Sequence, residues 1–213
     1  MTTTTRGPYK NGIKRRGEIL RSAAKVFSQK GYAGGSLRQI ADEVGVSPAA
    51  LMRHFPSKES LYIAVLDYWA NESDVDVPAG DDGLGYFRRF AHLMKYHTQN
   101  RGLIELFLTL AAEASHSDHP ARSFMTGRYA ALVATATDQL LHAAKLGAVH
   151  PFTRAEATFE VRGLFAMMDG IELQWLLDPD MDLVELFDYQ FAALLERWTD
   201  GSSGPAASEP GMP

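Results

Sequence analysis

The stretch from Ser36 to Lys58, SLRQIADEVGVSPAALMRHFPSK, constrains the fold more than any other part of this 213-residue chain. Leu37, Ile40, Ala41 and Val44 recur at i, i+3, i+4 and i+7, the apolar stripe of a short amphipathic helix. Ser36 with Gln39 three residues on reads as a capping box at its start. Gly45 reads as its stop, a residue free to take positive φ just past the last turn. Ser47 then caps a second helix that opens on Pro48, where a missing N–H costs nothing, and Pro56 ends it. Leu51 and Phe55, four apart, turn this second helix back onto the first. Helix, short glycine-containing turn and helix make a helix-turn-helix pattern.

The second helix leaves Ala49, Ala50, Arg53 and His54 on its outer face. A helix that reads DNA presents its first turns to base edges in the major groove. Small side chains there admit close approach, and an alanine methyl can touch a thymine methyl. The N–H groups at the helix start also suit a phosphate. The bland alternative is a helical hairpin that only completes a bundle.

Charge separates these readings. Net charge over the whole chain is −5, which argues against a nucleic-acid partner. Residues 1–60, however, carry 11 Lys or Arg against 4 acids, and residues 61–213 carry 10 against 22. A basic head of +7 and an acidic body of −12 would orient the molecule on a duplex.

The segment GVSPAALMRHFPSKESL (45–61), with AAKVFSQKGYAGGSLRQIA (23–41) before it, resembles the DNA-binding domain of the TetR family of transcriptional regulators. The likeness is close over about the first 65 residues and beyond them is one of helical layout. It implies DNA contacts by Ser36, Arg38, Ser47, Ala49, Ala50, Met52, Arg53, His54 and Lys58. The family usually has a phosphate-contacting tyrosine where this chain has Met52, whose thioether donates no hydrogen bond.

The expected fold is all-α: a three-helix DNA-binding domain over residues 12–57, after a disordered arm (1–11), and a helical regulatory domain for ligand binding and dimerisation over 58–200, before a disordered tail (201–213). The first helix is expected from about Gly12 to Lys30, and the fourth, capped by Ser57, carries Leu61, Tyr62, Val65, Leu66 and Trp69. That fourth helix is the expected lever joining the basic module to the rest, with 73–85 a loop. Further helices are expected over 86–100, 103–115, 120–146, about 153–178 (Thr153 and Glu156 forming a capping box) and 182–198 (capped by Asp182 with Glu185). No segment alternates as a strand would.

The resemblance implies an effector pocket among the middle helices. Phe90, Met94, Ile104, Phe107, Phe124, Tyr129, Met168 and Trp175 would supply apolar lining, and Asp169 and Glu172 could recognise a ligand donor or cation. The apolar ones read first as ordinary core, and Asp169 and Glu172 are also readable as capping a buried hydrogen bond or facing solvent. The effector is expected to be an apolar or amphipathic small molecule. The last two helices carry broad apolar faces, and the resemblance makes them a homodimer interface, with Phe165, Leu183, Phe187, Phe191, Leu194 and Trp198 as candidates.

The chain has no cysteine, so thiolate chemistry and disulfides are excluded. No apolar run reaches transmembrane length and the N-terminus lacks a secretion signal, so a cytoplasmic protein with no membrane partner is expected. His116, Asp118 and His119 lie in a turn without metal-ligand spacing. No nucleophile elbow, phosphate loop or dinucleotide fingerprint occurs. The reading is thus of a regulator without enzymatic activity, cofactor or metal, most simply a repressor that binds a palindromic double-stranded operator and is released by its effector. The other class left open is a helical small-molecule-binding or catalytic protein with a structural hairpin. An activator is equally compatible.

Overall fold

The structure is a computed structural model that describes residues 8–30, 37–72 and 83–200. Among these residues there are nine helices and no strand: α1 (Pro8–Lys30), α2 (Leu37–Glu43), α3 (Pro48–His54), α4 (Lys58–Glu72), α5 (Gly85–Gln99), α6 (Arg101–Glu113), α7 (Arg122–Lys145), α8 (Arg154–Leu177) and α9 (Leu183–Asp200). The all-α expectation holds helix by helix. The expected capping box at Ser36, most of the N-terminal arm, the loop through residue 82 and the tail from 201 lie outside the described residues.

Where the bounds differ, the local chemistry shows why. α1 begins at Pro8, four residues before Gly12, because proline's fixed φ suits a first helical position. α7 begins at Arg122 and not at Pro120, which lies exposed in the preceding turn. There the His119 Nδ1 accepts from the Ala121 N–H at 3.2 Å. The Arg122 guanidinium donates to the carbonyls of Ala114 (3.3 Å) and Ser115 (2.6 Å), satisfying the free end of α6. This turn is therefore held by caps, with His119 also 3.7 Å from Glu113.

The chain divides into two compact units, residues 1–74 with 99–125, and residues 75–98 with 126–213. This division does not follow a linear cut at residue 58. In the first unit α1 packs on α2, α4 and α6, and α4 packs on α6. Its core holds Phe27 of α1, Ile40 of α2, Leu51 of α3, Leu61 and Tyr62 of α4 and Ile104 of α6, all with essentially no exposure. The Phe27 and Tyr62 rings meet edge to face at 4.7 Å.

The second unit is built from α5, most of α7, α8 and α9. Phe87 and Met94 of α5, Leu140 of α7, Val161 and Leu164 of α8, and Phe187 and Trp198 of α9 are sealed in one core. Phe87 meets Trp198 at 5.0 Å, and Phe90 meets Phe165 at 5.8 Å. The expected capping box starts α8: the Glu156 N–H donates to Thr153 Oγ1 (3.2 Å) and the Thr153 N–H to Glu156 Oε2 (2.7 Å). Asp182 Oδ1 accepts from the N–H groups of Val184 and Glu185, each at 3.0 Å, at the start of α9. Glu160 of α8 ties the far end of α9 by accepting from Arg197 (2.5 Å) and from the Trp198 indole N–H (2.8 Å).

Gly83, just before α5, sits at φ +78 with α7 so close that a Cβ would lie 2.8 Å from the Ala143 Cα. Gly83→Ala combines left-handed strain with a backbone clash and is expected to cost about 2–4 kcal/mol. Gly127 of α7 faces open space, so Gly127→Ala should instead gain about 0.5–1 kcal/mol from helix propensity. Denaturant midpoints of the two variants moving in the same direction would contradict this packing.

Candidate nucleic-acid interface and effector site

The reading helix is fixed from three sides. Before it, α2 ends in a Schellman motif: Gly45 at φ +68 donates to the Asp42 carbonyl (3.3 Å), and Val46 donates to the Ala41 carbonyl (2.9 Å). Ser47 then takes an extended conformation (φ −68, ψ 146), and its Oγ accepts from the Ala50 N–H at 3.1 Å, with Pro48 in the first helical position. Leu51 and Phe55 are 0% and 1% exposed, so the inward face is sealed. The third constraint comes from α1. The Arg16 guanidinium donates to the His54 carbonyl (3.2 Å) and lies 4.4 Å from the centre of the Phe55 ring. Arg16 was not singled out by sequence, since a contact across 38 positions leaves no local pattern.

Rotating Leu51 and Phe55 inward puts the others where the spacing requires. Ala49, Met52 and Arg53 are exposed, and Ala50 and His54 are half-buried. Met52 is 53% exposed, an unusual setting for a large apolar side chain on a basic surface. Arg38 projects into solvent from α2, and Ser47 is exposed at the turn. Lys58 opens α4, with its Nζ 5.2 Å from the Tyr62 ring centre. α4 is capped reciprocally: the Ser60 N–H donates to Ser57 Oγ (3.1 Å) and the Ser57 N–H to Ser60 Oγ (3.0 Å). Of the expected DNA-contacting set, Ser36 lies outside the described residues.

The expected effector residues fall into both units. Ile104, Phe107 and Phe124 belong to the first, where Ile104 and Phe107 are buried. Phe90, Met94, Tyr129, Met168, Asp169, Glu172 and Trp175 belong to the second. There the polar members converge. His97 Nδ1 lies 2.5 Å from Glu172 Oε1, with both residues almost fully buried, and the Tyr129 hydroxyl donates to Asp169 Oδ2 at 2.6 Å. Burial raises the Asp169 carboxyl to about 6, and the nearby Glu172 charge adds to this while the Tyr129 hydrogen bond opposes it. Burial likewise pushes the Tyr129 hydroxyl up, with the Asp169 hydrogen bond contributing. No pattern in the sequence links His97 to Glu172. The 75-residue separation hides that pairing.

The expected dimer-facing residues are placed differently from the expectation. Leu183, Phe187 and Trp198 are 1%, 0% and 0% exposed, and Phe165, Phe191 and Leu194 are also buried. They lie in the chain's own core, because α8 and α9 cover α5 and α7. The apolar residues that α8 and α9 expose are Phe159, Leu173, Leu177 and Tyr189, at 62%, 51%, 78% and 73%. Between Phe159 and Leu173 the same face of α8 carries Gly163, Ala166 and Gly170, and a Cβ on either glycine would meet nothing within 4 Å.

Residues 19–65 match the family described as bacterial regulatory proteins, tetR family. The HTH-type transcriptional activator FasR of Mycolicibacterium smegmatis is 47% identical over 53 residues, 25% of this chain and 24% of that protein. The matched segment thus spans about a quarter of that relative's length. A TetR-family transcriptional regulator from Agrobacterium tumefaciens superposes with a TM-score of 0.70 at 19% identity, over 88% of this chain and 98% of the other. The FadR repressor of Thermus thermophilus, solved with lauroyl-CoA, gives 0.57 at 21% identity, over 92% and 100%. At these identities the structures speak for the fold alone.

Proposed function

We propose that this chain, whose N-terminal domain belongs to the TetR family of bacterial regulatory proteins, represses transcription as a homodimer on a palindromic operator and is released by a small-molecule effector. One observation carries the DNA reading. α3 is capped, sealed along Leu51 and Phe55, and clamped by Arg16, so it holds Ala49, Met52 and Arg53 outward on a rigid frame. Arginine can read a guanine with two hydrogen bonds, while Ala49 and Ala50 keep the helix slim enough to approach base edges. Met52 offers no donor to a phosphate. The basic N-terminal third supplies the sequence-independent attraction.

Dimerisation rests on the outer face of α8 and α9. Four large apolar side chains stand in water there, and the small residues between them let a second helix approach closely. A two-fold pair presents two reading helices, which calls for half-sites about one helical turn apart, ~34–36 Å. Release follows if the effector binds the DNA-incompetent conformation more tightly, since equal affinity for both would shift nothing.

A gel shift on the DNA flanking the protein's own gene, in low salt with competitor, tests the reading. A retarded band that survives competitor is expected. No band at any concentration would favour a helical small-molecule-binding protein whose hairpin is structural. Lys58, read as a phosphate contact, should act on all sequences alike. Lys58→Ala is expected to weaken specific and random DNA by the same factor and to lower the salt slope by about one. A loss confined to one base position would contradict that role.

A further inference from the structure

We propose that Met52 is a specificity residue of the operator contact, packing its thioether on the C5 methyl of a thymine in the major groove. Each half-site then carries one thymine recognised by its methyl group. This rests on the reading of α3 as the DNA-contacting helix and adds to it a base that Arg53 does not read.

Met52 is 53% exposed. Among the described residues it is the only large apolar side chain of the first unit that stands mostly in water. Its place on the helix follows from the residues that turn inward. With Leu51 and Phe55 sealed, Ala49 and Arg53 point most directly outward, and Met52 lies beside Ala49 on the flank nearer Pro48. Helix side chains lean toward the N-terminus, so Met52 overlies the turn that starts α3. That turn is the part of a reading helix that enters the groove. Ala49 offers only a methyl beside it, which leaves the thioether prominent on this face.

The chemistry of the surroundings selects the occupant. Residues 1–60 carry 11 Lys or Arg against 4 acids, so the partner of this surface is a polyanion. A thioether donates no hydrogen bond and is a weak acceptor, so neither a phosphate nor a polar base edge rewards it. On the major-groove edges of the bases the thymine C5 methyl is the apolar group. Seating Met52 on that methyl takes apolar surface of both partners out of water. The unbranched, polarizable side chain adapts readily to such a contact. A protein partner fits less well, because docking of that kind uses a contiguous apolar patch and Met52 stands without a second large apolar neighbour in its unit. Met52 and Arg53 are consecutive and so point about 100° apart around the helix. They therefore reach different base pairs, and the methyl-read thymine is separate from the base that Arg53 bonds.

The test uses the duplex that the full chain selects from a random pool, resynthesised with deoxyuridine for thymidine at one position at a time. Uracil keeps the hydrogen-bonding edge of thymine and lacks only the methyl. At one thymine per half-site the substitution is expected to weaken binding about 4-fold, and about 15-fold when both half-sites carry it, the worth of one and of two buried methyl groups. Met52→Ala should bind the thymine duplex more weakly by at least that factor and bind the thymine and uracil duplexes alike. Met52→Leu, which keeps an apolar side chain, should retain part of the sensitivity. Neither variant should change the dependence of affinity on salt, since no phosphate contact is lost. Circular dichroism should show both variants folded, as expected for an exposed position. Wild-type binding unmoved by every uracil substitution would overturn the role of Met52 while leaving α3 as the reading helix. So would a Met52→Ala protein as sensitive to uracil as the wild type, or one with a lowered salt slope. Failure of the full chain to select any duplex would instead overturn the DNA reading on which the proposal rests.

Discussion

Arg53→Ala and Ala50→Asp are expected to abolish operator binding while leaving the dimer assembled and folded. Arg53 is exposed on the outer face of α3, so truncating it costs little packing. The loss is of base recognition, at about 1–3 kcal/mol per bidentate contact. Counted over two half-sites this is about 2–6 kcal/mol, roughly 30-fold to 10⁴-fold in affinity. Ala50→Asp is harsher. It sets a carboxylate one helical turn before His54, on the part of α3 read as approaching the base edges of a negatively charged duplex. Repulsion there acts on all sequences, so both specific and random binding should vanish. Titrating fluorescent operator with each variant, beside its circular dichroism spectrum and sedimentation profile, checks all three parts. A double variant that binds normally would refute the assignment of α3.

The second large effect concerns association. Ala166→Arg places a guanidinium midway along the small-residue face of α8, between Phe159 and Leu173. Ala166 is exposed within one chain, so the fold has no reason to suffer. In a two-fold pair, however, each arginine would be pressed against the partner helix and lose its water without a counter-ion. Burying an unpaired charge costs about 3–5 kcal/mol, and it occurs twice. The dimer should fall apart at micromolar concentration, and operator affinity should fall with it because the two heads are no longer tethered. Phe187→Ala is the control with the opposite signature. Phe187 is wholly buried in the chain's own core, and its loss should cost about 3–5 kcal/mol of folding stability. Sedimentation combined with thermal denaturation separates the two. An Ala166→Arg protein that stays dimeric would remove the proposed interface.

A related effect appears at Asp169. A carboxyl whose folded pKa is raised makes the fold bind more protons than the unfolded chain between its ordinary range and about 6. Stability is therefore lost as pH rises through that window, and the full penalty is present above it. Asp169→Asn should raise the melting temperature at pH 8 and change it little at pH 4. A larger gain at pH 4 would mean that Asp169 is not held under strain.

The parts of this molecule that were legible in the sequence are those governed by contacts a few residues apart. Gly45, Ser47–Pro48, the Thr153–Glu156 box and Asp182 announce their helix ends because the hydrogen bonds that make them reach only two to five positions. The outward set on α3 followed from the same short-range geometry, with Leu51 and Phe55 fixing which way the helix faces. What could not be read depends on distant partners. The clamp of Arg16 on His54 and the His97–Glu172 pair join helices that share no pattern. The candidate dimer residues depend on distant partners in the same way. Periodicity tells that α8 and α9 are rich in apolar positions, but only packing decides that Phe187 and Trp198 turn inward while Phe159, Leu173 and Tyr189 stay in water.

Selection of the purified protein against a pool of random duplexes, followed by sedimentation of the complex with the winning sequence, tests the central claim most directly. The account predicts an inverted repeat with half-sites about one helical turn apart, occupied by two chains. A protein that remains a lone subunit at micromolar concentration and enriches no inverted repeat over random DNA would contradict it.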